Sequence, residues 1–600
     1  MLFFVFLLSI VATTTTATAT AYQQTAPPKN ILFIAIDDLR PQFGRSYHNK
    51  EVLTPNIDSF FLDNNGSSFQ HAYVQIAVCG PSRASMLTGR RPDSTRTFRT
   101  PTDAGLLNKG AWCWCRRTSC GQNGRNLTDI FYTLPQYFQS QGYRTAGVGK
   151  IFHPDACNDM VIHPNMSKFN HVVGDDPRAW SDGYDVEANF SQMQWGSIPG
   201  PHDPVFNGKM GLSFEVSSLS DEEQTDGMLA TDAIQKLRSL ATATDATKAS
   251  ENDRASTPTS TKPFFLAVGF HKPHLPHIVP KKYYDMYPNV SKISLPPNPY
   301  VPKHFQEENW HSDGTFEIES YNLNAQPIFE KDDFSFNHPI DVHFTKQMRR
   351  AYFAATSFVD AQVGRVLNTL KELQLTEQTI CIVWSDHGWH LGDTNSWGKM
   401  TTFESATRNT LLMRVPGQSI SSQGWISDVL VESIDIFPTL IDLVDIPALP
   451  ICAHRDDKPG ERCLQGDSHA AFFQTNNANA KAGQQKKKKY AFSQWPTPAW
   501  PKNSTTLGFR MAYTVRSLAG YRVTEYVPYD PSQWIGDWDS SKATNDLELY
   551  DYNVDPFETT NCWNDSKYEK VLTELRSVLR AQFAALNTEK VVSSTVRPRS

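Results

Sequence analysis

Beyond its first dozen residues the sequence has no apolar run approaching the roughly 20 residues needed to cross a bilayer, so no transmembrane helix is expected. It has no internal repeat and no long acidic block. Basic charge is not concentrated either. With 57 Lys and Arg against 63 Asp and Glu, the net charge is −6, and the basic face of a nucleic-acid-binding protein is excluded. The one basic run, Lys486 to Lys489, sits in a polar stretch beginning near Thr475 and reads as a solvated loop. Cysteines number only nine in 600 residues, an odd count that leaves at least one thiol unpaired in an oxidising compartment.

That compartment is suggested by the start of the chain. Residues 1–21 read as a secretory signal, with an apolar core from Leu2 to Ala12 and small residues ending at Ala19 or Ala21. Seven Asn-x-Ser/Thr triplets, at Asn65, Asn126, Asn165, Asn189, Asn289, Asn503 and Asn564, agree with passage through the secretory route. The mature protein is therefore expected to be soluble, lysosomal or extracellular, without a membrane partner. Cys452 and Cys463 flank a short polar loop and are the best disulfide pair; Cys113, Cys115, Cys120 and Cys157 share one irregular region. Cys381, inside an apolar segment, reads as an inert buried thiol. Cys562 has no assignment. Cys79 is the odd one, because Pro81, Ser82 and Arg83 follow it closely.

Several continuous apolar runs stop abruptly at polar residues, as strands buried on both faces do. Ile31 to Ile36 ends in Asp37 and Asp38. Ile380 to Trp384 ends in Ser385, Asp386 and His387. Phe264 to Phe270 ends in His271 and His274, and "YRTAGVGKIFH" ends in Lys150 and His153. Helical patterns lie between them, clearest after Phe344, where Phe358, Val359, Val363, Val366, Leu367 and Leu370 share one face. Alternating strands and helices predict an α/β fold: a large, mainly parallel mixed sheet flanked by helices over residues 28–449. Residues 450–590 are expected to form a smaller α/β subdomain with an antiparallel sheet and a closing helix from Lys567 to about Leu586. Segments near Thr244 and Lys486 read as surface insertions.

In open α/β sheets functional groups gather beyond the carboxyl ends of the strands. A lone Asp there usually caps a helix or turn. A pair plus an Asp-His, each closing a buried strand, points instead to a metal, because gathering such anions is costly unless a cation compensates. Asp37, Asp38 and Asp386 favour a hard ion, Ca²⁺ or Mg²⁺, although His387 is an atypical Ca²⁺ ligand. Arg83, Lys150, His153, His274 and Lys399 then suggest a pocket for an anionic group, a sulfate or phosphate ester.

The nucleophile comes from a motif. "CGPSRASMLTGR", from Cys79 to Arg90, resembles the signature of the sulfatase family, Cys-x-Pro-Ser-Arg followed by Thr-Gly. "DDLRP" at Asp37, "GVGKIFHP" at Gly147, "PFFLAVGFHKPHLP" at Pro263, "SDHGWHLGD" at Ser385 and "LELYDYNVDPFETTN" at Leu547 also look like that family, and most of the chain is covered. The likeness is greatest to the branch that removes the 2-O-sulfate of a uronic acid. In the family a formylglycine-generating enzyme reads the Cys-x-Pro-x-Arg core and oxidises the cysteine to formylglycine. The resemblance implies that residue 79 hydrates to a diol, that one hydroxyl attacks sulfur as the alcohol leaves, and that the other then expels sulfate. A serine could attack but could not eliminate in this way.

It further implies one Ca²⁺ held by Asp37, Asp38, Cys79, Asp386 and His387. Arg83 would steady the diol, and Lys150, His274 and Lys399 would bind sulfate oxygens. His153 would assist the diol, and either His274 or Lys399 would protonate the leaving oxygen of a sulfated carbohydrate. Two departures stand out: Asn409 and Thr410 replace the family's Val-Pro, and Asp393 and Thr394 replace its Glu-His. None of these is an expected ligand, so hydrolysis is expected to survive with altered substrate contacts. Rival readings are a sulfatase for another sulfated polysaccharide or aryl sulfate, a phosphatase or phosphonate monoester hydrolase, and an inactive glycan-binding relative.

Overall fold

The computed structural model describes residues 30–98, 131–153, 179–182, 184–185, 214–242, 262–311, 317–318, 334–417, 425–452, 462–473, 488–499, 508–530, 535–538 and 546–583. The signal segment, Cys113, Cys115, Cys120, Cys157, three of the Asn triplets near residues 126–191, Asn503, and most of both expected insertions lie outside them.

Eight strands build the main sheet: β1 Asn30–Ile36, β2 Ser67–Tyr73, β3 Arg144–Gly149, β4 Tyr184–Asp185, β5 Phe264–Phe270, β6 Thr379–Ser385, β7 Leu411–Arg414 and β8 Trp425–Glu432. Their order is β8-β2-β7-β6-β1-β5-β3-β4. Every pairing is parallel except those of β7, which runs against both β6 and β2. The sheet is therefore mixed, and all four strands read from the apolar runs occupy its centre.

β1 shows why those runs are uninterrupted. Leu32, Ile34 and Ile36 enter one core, with α4 Thr225–Thr242 and α5 Val342–Glu372 packed above. Ile31, Phe33 and Ala35 enter a second core with α2 Cys79–Thr88, α3 Leu134–Ser140 and α6 Ile436–Leu443. Alternate residues feed opposite faces, so neither face tolerates a polar side chain. The helix expected after Phe344 is α5, whose N-cap Asp341 accepts from the amides of His343 and Phe344 at 2.8 and 3.0 Å.

A second, antiparallel sheet holds β9 Tyr490–Ala499, β10 Gly508–Ser517, β11 Tyr521–Asp530, β12 Ile535–Gly536 and β13 Leu547–Asp551, followed by α7 Glu569–Phe583. It is bound to the first sheet's loops: Gln494 N donates to Gln75 O at 2.9 Å, and Arg516 pairs with Glu404 at 3.3 Å. Cys452 and Cys463 form a disulfide, and Cys381 is buried as a free thiol. One reading is corrected. Lys488, at the end of the basic run, is not solvated; it reaches Asp435 at 2.7 Å and Glu432 at 2.8 Å, two buried acids that need a cation. Asn289 and Asn564 are exposed, and Asn65 is half-buried. No described helix is long and apolar enough to cross a membrane.

Candidate active site

Four adjacent strands deliver the site. Parallel register sets Ile36 of β1 opposite Ser385 of β6 on one side and Phe270 of β5 on the other. The residues that follow these strand ends, Asp37, Asp38, Asp386 and His387, therefore meet, and all four are fully buried. Asp38 leaves the strand in the left-handed region (φ 62°) and its amide donates to Asp386 Oδ1 at 3.1 Å. The Tyr352 hydroxyl secures that turn, donating to Asp38 O at 2.6 Å and accepting from Arg40 N at 2.9 Å. β3 lies against β5 with Gly149 opposite Gly269, which places Lys150 at the same edge.

Cys79 is the first residue of α2, at the positive end of its dipole. Its Sγ lies 3.4 Å from His387 Nε2, 3.8 Å from Asp38 Oδ1 and 3.2 Å from Lys399 Nζ. One helical turn on, Arg83 spans the carboxylates, donating to Asp386 Oδ2 at 2.9 Å and Asp37 Oδ1 at 3.3 Å. Arg83 also donates to the carbonyl of Lys150, and Lys150 Nζ pairs with Asp37. His153 packs beside Gly80, where an added Cβ would sit 3.5 Å from its ring. Lys399 follows the strand Trp397–Gly398 and is tied to the nucleophile's segment by Met400 N donating to Ala77 O at 2.9 Å. Every residue predicted for the site is thus brought to one cluster.

Burial works against every charge here, and the neighbours decide the outcome. Burial pushes Asp37 up, but the cations Lys150 and Arg83 outweigh it and hold the carboxyl well below its usual range. Asp38 goes the other way: burial, reinforced by Asp37, Glu317 and Asp386, outweighs Lys399 and raises it well above. Burial and Asp37 push the Cys79 thiol well up, so it is held neutral. Burial disfavours charge on Lys399, yet Asp38 and Glu317 keep it firmly protonated. Burial keeps His387, His153 and His274 neutral, with His387 at about 4.

These residues fit a metal. Asp37, Asp38, Cys79 and His274 offer donor atoms within 4.8 Å of one another, as do Cys79, Asp386 and His387. The crowding that raises Asp38 is what a divalent cation relieves, and the oxygen-rich set suits a hard one. His387 Nδ1 faces the carbonyl of Gly388 at 2.7 Å and so carries its proton there. That leaves Nε2 a free lone pair toward the cluster.

Three contributors are not among the residues read from the sequence. Glu317 pairs with Lys399 at 2.9 Å and lies 3.7 Å from His274. Trp389 sets its ring 5.1 Å from Lys399 Nζ. Tyr352 comes from the middle of α5. Glu317 and Tyr352 neither follow a buried strand nor fall in a spacing that chemistry requires; Trp389 lies within the SDHGWHLGD segment, where its residue type alone suggests core packing. The departures from the family pattern act as braces. Asp393 pairs with Arg40 at 2.7 Å, Asn409 donates to Ser385 O at 2.7 Å, and Thr410 donates to Leu39 O at 3.0 Å. All three are buried, which places them behind the strand ends.

The fold is that of sulfatase-like and phosphonate-ester hydrolases. A phosphonate monoester hydrolase from Silicibacter pomeroyi superposes with a TM-score of 0.61 over 92% of this chain and 95% of its own, at 20% identity. A 2-O GAG sulfatase superposes with a TM-score of 0.58 over 96% and 95%, at 18% identity. At such identities the likeness is one of fold.

The chain belongs to the sulfatase family, whose sequence model matches residues 29–446. Iduronate 2-sulfatase of Mus musculus is 31% identical over 583 residues, 91% of this chain and 93% of its own. Iduronate 2-sulfatase of Homo sapiens is also 31% identical, over 585 residues and the same shares.

Proposed function

We propose that this sulfatase removes the 2-O-sulfate of a uronic acid in a sulfated sugar or glycosaminoglycan, using Cys79 after its oxidation to formylglycine, and one Ca²⁺. The observation that carries the reading is the setting of Cys79. A thiol at a helix N-terminus would ordinarily be activated, yet burial and Asp37 hold this one neutral and poorly nucleophilic. The position makes chemical sense for a residue converted to something else. The substrate class is supported by the two relatives of 31% identity.

Formylglycine would supply a hydrated aldehyde as the nucleophile, and Ca²⁺, held by Asp37, Asp38, Asp386, His387 and residue 79, would offset the charge of the ester. The chain's own groups do the rest. Arg83, fixed between Asp37 and Asp386, orients residue 79 from one helical turn away. Lys150 and Lys399 bind the sulfate oxygens, His274 lines the same edge, and neutral His153 accepts a proton near residue 79. The geometry favours Lys399 as proton donor to the leaving oxygen. His274 Nδ1 points its proton at Leu275 O, 2.8 Å away, so the neutral ring has none on Nε2 to give. The setting we propose is the secretory route, with maturation by a formylglycine-generating enzyme and residence in the lysosome or outside the cell.

The test uses protein from eukaryotic secretory cells. Turnover is compared on matched aryl sulfate and phosphate esters and on a disaccharide ending in 2-O-sulfated iduronate, alongside the mass of the peptide ending at Arg83. Sulfate release from the disaccharide with an aldehyde at residue 79 is expected. Preferential phosphate release, or an unmodified thiol in an active enzyme, refutes the reading.

A further inference from the structure

Lys399 has three ammonium protons and three nearby acceptors. Two face inward: Asp38 Oδ1 at 3.1 Å and Cys79 Sγ at 3.2 Å. The third is Glu317 Oε1 at 2.9 Å, whose carboxylate also lies 3.7 Å from His274 Nε2. Asp38 and Lys399 are 0% and 2% exposed at the side chain, whereas Glu317 is 14% exposed, so Glu317 lies toward the solvent. The edge formed by Lys399 and His274 therefore already holds an anion, on the side from which a substrate would arrive.

We propose that Glu317 is a specificity-determining residue that sets this site against dianions. The inference rests on the proposed role of Lys399 as a sulfate-contacting residue. A sulfate monoester carries one negative charge; inorganic sulfate carries two, and a phosphate monoester close to two at neutral pH. A fixed carboxylate beside the same ammonium repels a dianion about twice as strongly as a monoanion, and in so largely buried a site the difference is only partly screened. Glu317 thus lets a monoanionic ester take its place on Lys399, rejects phosphate monoesters, and speeds departure of the product sulfate.

The experiment is calorimetric binding to the calcium-loaded enzyme, with methyl sulfate as the monoanionic probe and inorganic sulfate as the dianionic one. Glu317→Gln is expected to tighten inorganic sulfate about tenfold relative to methyl sulfate, as loss of one nearby charge in a partly shielded site would give. Glu317→Asp, which keeps the charge, is expected to preserve the wild-type ratio. Glu317→Ala removes the same charge and serves if the Gln variant is not recovered folded. A ratio that is unchanged or moves toward methyl sulfate overturns the proposal. Binding needs no turnover, so an enzyme that hydrolyses no sulfate ester would sink the functional reading while this ratio still decides the role of Glu317.

Discussion

Cys79 is surrounded by charge and is itself neutral, and that contrast makes its substitution informative. A serine fits the same volume and keeps a polar atom toward His387 and Lys399. Cys79→Ser is therefore expected to fold with a melting temperature close to wild type. Its steady-state turnover should fall by roughly a thousandfold or more, because a serine can form a sulfate ester but has no second hydroxyl to expel it. Sustained turnover in that variant, followed by continuous sulfate release, would refute the mechanism. At this scale the sequence was readable wherever a residue sits at the end of an apolar run or inside a signature. Asp37, Asp38, Cys79, Asp386 and His387 meet that condition. Glu317 does not, because it reaches the cluster through tertiary packing alone. Lys488 misled for a related reason: in sequence it is one of four lysines, and only the fold sets Glu432 and Asp435 against it.

Among the elements, one close tolerance lies between β3 and β5. A Cβ on Gly269 would stand 2.0 Å from the carbonyl of Lys150, and one on Gly149 would stand 2.1 Å from the carbonyl of Gly269, at a φ of +74° besides. The two glycines let the strand ends close to the distance at which Lys150 reaches Asp37 and its carbonyl receives Arg83. Gly269→Ala must push β3 outward. It is expected to lower kcat/KM at least tenfold and to cost about 1–3 kcal/mol of stability, measured by urea unfolding beside turnover; wild-type activity would show that the spacing does not matter. A second element-level effect concerns pH. Asp360 on α5 accepts from Ile57 N at 2.8 Å and Asn56 Nδ2 at 2.7 Å, holding the helix Pro55–Leu62. Burial raises its carboxyl to about 6 despite those donors.

A raised carboxyl binds its proton more tightly folded than unfolded. Its contribution is complete below the unfolded value near 4 and is lost as pH rises through about 6. Asp226, raised to about 6 mainly by burial, acts in the same direction. The two carboxyls thus contribute a decline between pH 4 and 7, up to about 3 kcal/mol of it from Asp360, set against the buried neutral histidines, whose contribution rises with pH over the same range. In Asp360→Asn that share of the slope should vanish; an unaltered slope in paired urea titrations would exclude the assignment. The helix α5 itself was visible from its apolar stripe, but no pattern in sequence marks Asp360 as buried beneath a second helix.

Across the whole molecule, the kind of sheet followed from simple rules: buried apolar runs, alternating helices and polar strand ends give a mainly parallel sheet with its chemistry beyond the strand ends. The antiparallel β7 was not legible, because Leu411–Arg414 has no feature separating it from its parallel neighbours. The edge gathers four carboxylates, Asp37, Asp38, Glu317 and Asp386, against three fixed cations, Arg83, Lys150 and Lys399. Removing a bound divalent ion should therefore be felt globally. Chelation is expected to abolish activity and lower the melting temperature by a few degrees, both restored by Ca²⁺; a ligand at a hundredfold its Kd contributes about 2.7 kcal/mol. An unchanged melting curve would argue that these residues hold no ion.

The segment from Cys79 to Arg83 is buried along its whole length. A modifying enzyme that must read it as a peptide has no access once the sheet is complete. The strands that roof it are late in the chain: β5 begins at Phe264, β6 at Thr379 and β7 at Leu411. While only the first part has emerged, those neighbours do not exist and residue 79 lies open. If residue 79 is oxidised as proposed, activation is a matter of timing during biosynthesis, and the arrival of β6 closes the interval for it.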